Sequence, residues 1–237
     1  MAAPDDRRLA RTAVAAAIGL AGYWFPATAL VFPPSRRLFG VRADVAARDA
    51  VALTFDDGPH PQGTPRVLDL LDRAGVRATF FLAGEQAERY PALAAEIAAA
   101  GHETAVHCFR HRNPLRLPPA ATHADLDRGA AAIAEATGVA PRSFRPPHGI
   151  LTASAIGHAR RRGWETVLWR RDGRDWRADA TAESIATRLT GKARGGDVLL
   201  LHDADWYSAP GSWRKTASAL ELVLDRLAQR DLQVVAL

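Results

Sequence analysis

The chain has 237 residues, of which 48% are hydrophobic and 24% are charged, values that exclude a disordered or collagen-like protein. The formal net charge is +5, but the basic residues are scattered and are not interleaved with aromatic residues, so we predict no nucleic-acid partner. The single cysteine, Cys108, excludes a disulfide framework and a structural zinc site built on cysteines.

The N-terminal region predicts a segment directed to a membrane. Residues 12–32 carry no charge, over about the length needed to cross a bilayer. Pro26 is expected to kink or end a helix there, and the small residues at 27–29 resemble a signal-peptide cleavage site. The segment is therefore either an uncleaved anchor or a cleavable signal. Either alternative predicts a membrane-anchored or secreted protein whose folded domain is extracytoplasmic.

The composition changes near residue 50. Residues 33–49 contain Pro and Arg without clear periodicity, which indicates a linker. We therefore predict an anchor or signal segment plus linker over residues 1–49. One globular domain is predicted over residues 50–237, a length within the usual single-domain range.

Short apolar runs alternate with helical patterns from residue 50 onward. The predicted strands are residues 51–55, 78–82, 103–106, 142–145, 166–169, 197–201 and 232–236. The predicted helices are residues 65–74, 91–100, 120–137, 153–162, 182–193 and 213–229. This alternation is typical of a parallel α/β sheet or barrel.

Ionisable residues follow five of these strands. In chain order they are Asp56 and Asp57, His107, Arg145 and His148, Asp172 and Asp175, and His202. Ligands bind at the carboxyl ends of the strands in parallel α/β folds. The sequence therefore predicts one site at that rim.

His107 and His111 indicate a metal site. Their i, i+4 spacing would place both imidazoles on one side of a helical turn. Asp57 would complete a set of two histidines and one carboxylate, which leaves coordination positions open for water and substrate. The histidine pair alone is also compatible with two ordinary structural histidines.

Asp56 and Asp57 predict a division of roles, in which Asp57 binds the metal and Asp56 accepts a proton from water. The Asp-Asp-Gly-Pro run is also good turn sequence. Arg145 would keep Asp56 ionised by charge pairing, although an ordinary salt bridge is the alternative.

His202 is a candidate general acid. Asp175 would orient its imidazole and keep it protonated, so that it could protonate a leaving amine. Because His202 directly follows an apolar strand, a buried structural histidine is the competing interpretation.

Five ordered motifs resemble the polysaccharide deacetylase family, the NodB-homology domain of carbohydrate esterase family 4. They are TFDDGP (54–59), HxxxH (107–111), FRPPHG (144–149), DGRDW (172–176) and LLLHD (199–203). The resemblance covers residues 50–237. It implies a distorted (β/α) barrel, here preceded by the hydrophobic N-terminal segment, and one divalent metal ion such as zinc.

The resemblance also implies a role for each matching residue. Asp56 would be the base and Arg145 its tether, with Asp57, His107 and His111 as metal ligands. Asp175 would pair with His202, the general acid. On the substrate side, the His148 backbone amide would contribute to an oxyanion hole, next to Pro147, and Trp176 and Leu200 would line the acetyl pocket.

Two positions depart from the family pattern. Cys108 stands where Ser or Thr is usual after the first metal histidine. The missing hydroxyl could otherwise hydrogen-bond to a neighbouring metal ligand, so the change affects how that ligand is held. His148 replaces the more usual Tyr, a change that a backbone role should tolerate. After the acid histidine, Trp206, Tyr207 and Trp213 either stack on sugar rings or pack their loop onto the barrel.

The resemblance implies hydrolysis of N-acetyl groups on amino-sugar glycans of the peptidoglycan or chito-oligosaccharide type. An esterase acting on O-acetyl xylan and a deformylase of a lipid-linked amino sugar are alternatives. A non-catalytic glycan-binding relative is a third alternative, against which the intact Asp56, His107 and His202 argue.

Overall fold

The computed structural model describes residue 19 and residues 21–237. The predicted membrane segment, residues 12–32, therefore lies partly outside the described residues. Its described part contains a 3₁₀-helix at Phe25–Leu30, and helix α1 follows at Pro33–Leu38. Among the residues that the structure describes, we find no helix with the length and apolar content to cross a bilayer.

The fold is built on a parallel sheet. Its strands are β1 (Val41–Arg42), β2 (Ala50–Asp56), β3 (Thr79–Ala83), β4 (Glu103–Cys108), β5 (Ser143–Phe144), β6 (Glu165–Val167), β7 (Arg171–Asp172), β8 (Val198–His202) and β9 (Gln233–Val235). They run in the order β1-β6-β5-β4-β3-β2-β8-β7, with β9 beside β2, and every ladder between them is parallel. An antiparallel bridge from Asp44 to Asp197 links the segment after β1 to the start of β8. This confirms the predicted distorted (β/α) barrel.

Helices connect the strands and cover the sheet. They are α2 (Gly63–Arg73), α3 (Gly84–Arg89), α4 (Pro91–Ala99), α5 (Pro119–Thr137), α6 (Ala153–Arg161), α7 (Ala182–Thr190) and α8 (Ser212–Ala228). Strands β2 and β3 are buried along their whole length, as expected for a sheet covered on both faces. Gly138 ends α5 in a left-handed conformation, with φ of 71°, where the sequence predicted the helix to stop.

Some elements differ from the prediction. Residues 33–49, predicted as a linker, contain α1 and β1, and β1 pairs with β6. Strand β7 and helix α3 were also missed. These elements have two to six residues, too few to show a hydrophobic period.

Candidate metal centre and active-site cleft

A cleft of about 420 Å³ lies at the carboxyl ends of the strands. Eight of the eleven predicted site residues line it: Asp56, Asp57, His107, His111, His148, Trp176, Leu200 and His202. Arg145 and Asp175 are completely buried and contact lining residues from below. The structure therefore brings ten of these residues together. The strand-end argument predicted this for the ionisable residues at the strand ends, whereas Trp176 and Leu200 were expected from the family resemblance.

Asp57, His107 and His111 form one compact group. Oδ1 of Asp57 lies 3.4 Å from Nε2 of His107 and 3.5 Å from Nε2 of His111. One ligand atom from each residue lies within 4.8 Å of the others. Among the described residues, this buried Oδ1 has no hydrogen-bond partner. An unpaired buried carboxylate oxygen that faces two imidazole nitrogens is an arrangement suited to binding a cation.

The predicted helical turn between the two histidines is wrong. His107 belongs to strand β4, and His111 lies in the loop that follows it. Asp125 of α5 shapes this loop, since its carboxylate accepts the Phe109 N–H at 2.8 Å and the Arg110 N–H at 3.3 Å. A strand end followed by a tethered loop thus brings the imidazoles together, with ring centroids 5.2 Å apart.

The surroundings of these residues suit a bound cation. Nδ1 of His107 donates to the Arg145 carbonyl oxygen at 2.8 Å, and Nε2 of the same ring faces Oδ1 of Asp57. Burial lowers the pKa of His111 to about 3, which keeps this imidazole neutral. Burial alone would raise the pKa of Asp57, but the interaction with His107 and the nearby imidazoles lower it below its usual value.

The backbone at Asp57 is held in an uncommon conformation. Its φ is 79°, a left-handed value that is uncommon for residues other than glycine. The following loop packs on Asp203, so closely that a Cβ at Gly58 or Gly63 would clash with it. Thr64 also donates to the Asp203 carboxylate. These contacts fix the loop that carries Asp57.

Asp56 is paired with Arg145 beneath the cleft. Nη1 of Arg145 donates to Oδ1 of Asp56 at 2.7 Å and to the Thr54 hydroxyl at 2.8 Å. The guanidinium also lies over the Phe81 ring, 4.0 Å from its centroid. Burial lowers the pKa of Arg145, while the Asp56 carboxylate opposes this effect. The pairing occupies Oδ1 and leaves Oδ2 of Asp56 as the oxygen able to accept a proton.

Asp175 and His202 form the second charged pair. Oδ1 of Asp175 accepts from Nδ1 of His202 at 2.9 Å, and Oδ2 accepts from the His202 backbone N–H and the Thr216 hydroxyl, each at 2.7 Å. Burial alone would lower the pKa of His202, but Asp175, assisted by Asp57 and Asp56, raises it to about 10. The imidazole is therefore protonated and oriented, with Nε2 available to the cleft.

The 144–149 motif contributes a turn beside His111 of the candidate metal site. His148 has φ of 58°, and its ring meets His111 edge to face at 4.5 Å. Pro147 is buried and lines a small cavity that is separate from the cleft. It does not line the cleft itself, and its contact with substrate stays a prediction.

Cys108 follows His107 in β4, and it does not line the cleft. Its thiol is buried and borders the same small cavity as Pro147. Burial, reinforced by Asp125, raises its pKa well above the usual value. A neutral thiol at this position is not part of the Asp57, His107 and His111 group.

Three cleft residues were not singled out by the sequence: Leu30, Trp169 and Ser208. Asp172, which the strand-end argument placed at the rim, also lines the cleft. Trp169 follows β6 and could have been found by the same argument. Leu30 comes from the predicted membrane segment and has no sequence signal of its own.

The aromatic residues after His202 divide between the two alternatives. Trp206 and Trp213 pack against His60, with centroids at 4.6 Å and 5.8 Å, which supports the loop-packing alternative. Tyr207 lines the cleft and stacks on His111 at 4.5 Å. Its hydroxyl donates to Glu85 at 2.6 Å, which fixes the ring.

Comparisons of the sequence and of the structure with known proteins find the same group of relatives. The profile of the polysaccharide deacetylase family matches residues 44–167. A chitooligosaccharide deacetylase of Bradyrhizobium is 35% identical over 210 residues, covering 83% of this chain and 94% of that protein. The crystal structure of a peptidoglycan N-acetylglucosamine deacetylase, Bc1960, superposes with a TM-score of 0.77 at 29% identity, covering 83% of this chain and 90% of that one. A family 4 acetyl xylan esterase from Clostridium thermocellum, solved with a cobalt ion, superposes with a TM-score of 0.71 at 29% identity, covering 79% and 87%.

Proposed function

Because this chain belongs to the polysaccharide deacetylase family, we propose that it is a metal-dependent hydrolase that removes N-acetyl groups from amino-sugar glycans. The observation that carries the proposal is the Asp57, His107 and His111 group in a cleft that also holds two charged pairs. The related chitooligosaccharide and peptidoglycan deacetylases act on N-acetylated sugars, which favours the same substrate class here.

We propose that Asp57, His107 and His111 would hold one divalent cation, and that this cation is zinc. The residues fit such an ion, because the unpaired Oδ1 of Asp57 faces two imidazole nitrogens. Imidazole and carboxylate ligands suit zinc, with cobalt as a chemically similar alternative. When bound, the cation would polarise the acetyl carbonyl and lower the pKa of water.

In this mechanism Asp56 is the general base. Its Oδ2 would accept the proton of the attacking water, while Arg145 holds Oδ1 and keeps the carboxylate in place. Placing the base next to the metal ligand Asp57 puts proton acceptor and water within reach of each other.

The His148 backbone would stabilise negative charge on the acetyl oxygen. Pro146 and Pro147 lack an N–H, so the first amide of this turn is at His148. Among the described residues, that N–H has no hydrogen-bond partner, which leaves it free to donate to an oxyanion. Trp176, which is 41% exposed, and the buried Leu200 would flank the acetyl methyl group.

His202 would complete the reaction as the general acid. Its Nε2–H would protonate the departing sugar nitrogen, and the Asp175 carboxylate would stabilise the imidazolium before the transfer. The two charged pairs thus separate the roles: Asp56 takes a proton and His202 gives one.

We further propose a cell-wall glycan as substrate and an extracytoplasmic location for the catalytic domain. Related proteins are peptidoglycan deacetylases, and the apolar run at residues 12–32 favours export or membrane attachment. The proposed catalytic domain comprises residues 50–237. The residues before it add α1, β1 and the cleft residue Leu30.

The direct test is acetate release from a substrate panel. The metal-loaded protein should release acetate from chito-oligosaccharides or peptidoglycan fragments. Acetyl xylan serves as the ester comparison, since an acetyl xylan esterase is structurally similar. Turnover of the ester alone would redirect the assignment, and no release from any N-acetylated glycan with metal bound would refute it.

Two variants separate metal binding from proton transfer. Asp56→Ala should keep the metal but lose turnover by orders of magnitude, because it removes only the proton acceptor. His107→Ala should lose metal affinity, as measured by elemental analysis after dialysis. His123→Ala is the matched control, because His123 stacks on His158 away from the cleft. Full activity in Asp56→Ala would assign the base elsewhere.

A further inference from the structure

The exposed apolar side chains are concentrated at one end of the described chain. The described residues include seven exposed large hydrophobic side chains, and five of these lie between residues 24 and 38. They are Trp24, Phe25, Val31, Phe32 and Leu38, with exposed fractions of 48 to 80%. We call these five residues the N-terminal patch. Five exposed large apolar residues within 15 positions of the chain indicate a contact surface, since scattered single residues would need no explanation.

The backbone of the N-terminal patch is attached to the domain. Arg36 donates to the carbonyl oxygens of Ala29 and Leu30, at 2.7 Å and 2.9 Å. Ala29 is fully buried, and the Phe25 ring packs edge to face on Phe39 at 5.5 Å. The apolar side chains are therefore presented to solvent by a folded segment.

A basic cavity of about 1020 Å³ adjoins the patch and shares helix α1 with it. Five arginines and two carboxylates line this cavity: Arg36, Arg37, Arg42, Arg160, Arg170, Asp44 and Glu165. Arg42 pairs with Glu165 and Arg170 pairs with Asp44. The remaining three arginines give the cavity an excess of positive charge.

We propose that the N-terminal patch and this cavity together bind the surface of an anionic phospholipid bilayer. Trp, Phe and Leu side chains would enter the boundary between headgroups and acyl chains, where aromatic residues are enriched. The arginines beside them would contact lipid phosphates, since their long side chains reach the interface while their charges stay solvated. The folded segment thus presents apolar groups that match the acyl boundary of the bilayer and cationic groups that match its phosphates.

The surface is independent of the proposed chemistry. None of the five patch residues lines the cleft. Leu30, from the same segment, does line it, so binding would hold the cleft close to the bilayer. A bilayer-bound orientation would bring the enzyme to glycans near the membrane.

The first test measures binding of the full chain to vesicles. Wild type should bind vesicles of phosphatidylglycerol and phosphatidylcholine more tightly than vesicles of phosphatidylcholine alone. The variant Trp24→Ser, Phe32→Ser, Leu38→Ser should bind the anionic vesicles more weakly by about tenfold or more. Val139→Ser, which changes an exposed apolar residue after α5, is the matched control and should bind as wild type does.

The second test changes charge alone. Arg37→Glu should weaken binding to the anionic vesicles by about 25-fold, because it alters the charge by two units at about fivefold each. Arg188→Glu on α7 makes the same charge change outside the cavity and should have little effect. Added salt should weaken wild-type binding.

The outcomes are decisive because residues 1–18 are the same in all variants. If the triple Ser variant binds the anionic vesicles as tightly as wild type, another part of the chain binds them and the proposal is wrong. Absence of vesicle binding by wild type would also overturn it. Acetate release from soluble chito-oligosaccharides should stay unchanged in every variant, which separates this proposal from the proposed catalytic function.

Discussion

Replacing Asp175 by Asn should change how the reaction depends on pH. Asn keeps the shape of the side chain and one acceptor oxygen, which can still receive the His202 N–H and the Thr216 hydroxyl. Its amide NH₂ would then face Nδ1 of His202, where the carboxylate now accepts a hydrogen bond. Both the lost charge and the opposing donor disfavour the imidazolium.

The magnitude follows from the pKa of His202. At a pKa of about 10 the imidazole is almost fully protonated at pH 8. At the ordinary value of about 6.5, roughly 3% is protonated at pH 8 and about three quarters at pH 6. Protonation alone therefore predicts a loss of about 30-fold at pH 8 and less than about twofold at pH 6, in addition to any pH-independent loss from misorientation.

The sign is set by the role of His202. A general acid is active below its pKa and loses activity as the pH rises through it. Lowering the pKa of His202 therefore moves the high-pH decline in activity, the alkaline limb of the pH–activity profile, to lower pH. A bound cation would offset the contributions of Asp57 and Asp56, so the limb of the loaded wild-type enzyme should lie below pH 10. It should still lie well above that of the variant.

The assay is kcat/KM for acetate release between pH 5.5 and 10. Asp172→Asn is the control, because Asp172 lines the same cleft but accepts from the Arg174 N–H instead of from His202. It should leave the limb nearer to its wild-type position. If Asp175→Asn lowers activity by the same factor at pH 6 and pH 8, His202 is not the acid that Asp175 keeps protonated.

Three further predictions follow from the contacts. Asp125→Ala should lower metal affinity by about 10- to 100-fold, measured by competition with a chelating dye, because the loop that carries the second metal histidine loses its tether. Arg145→Met should lower the free energy of unfolding in urea by about 3–5 kcal/mol, since it leaves the Asp56 carboxylate buried without its partner. Leu30→Ala should raise KM about tenfold with little change in kcat, because it removes a cleft wall that contacts substrate before and during reaction alike.

Two of these variants have a matched control. Asp127→Ala removes another α5 carboxylate, one that pairs with His158, and should leave metal affinity unchanged. Leu38→Ala shortens an exposed leucine outside the cleft and should leave KM unchanged. An Arg145→Met protein within 1 kcal/mol of wild type would show that the buried pair contributes little to stability.

The sequence predicted the site because strand ends are easy to locate. Strands β2, β4 and β8 are apolar runs that end at ionisable residues, and all three lie within two residues of their predicted positions. Once the strands are parallel, their ends must meet at one rim. The pairings of Asp56 with Arg145 and of Asp175 with His202 follow from that geometry.

Contacts between distant segments could not be predicted in the same way. The HxxxH spacing suggested a helical turn, yet Asp125 of α5 sets the loop conformation from outside the motif. Similarly, β1 has two residues and forms only because the edge of β6 is available for pairing. The φ of 58° at His148 and the absence of its neighbour Pro147 from the cleft lining are likewise features that the motif alone does not reveal.

Leu30 has a practical consequence for enzyme preparation. It packs beside Trp169 against Gly149, in the motif that carries the His148 amide. A recombinant protein trimmed to start at residue 50 would retain every ionisable group of the cleft, but one side would be open to bulk water. We expect such a trimmed enzyme to bind glycans weakly, and its measured specificity would misrepresent that of the whole chain.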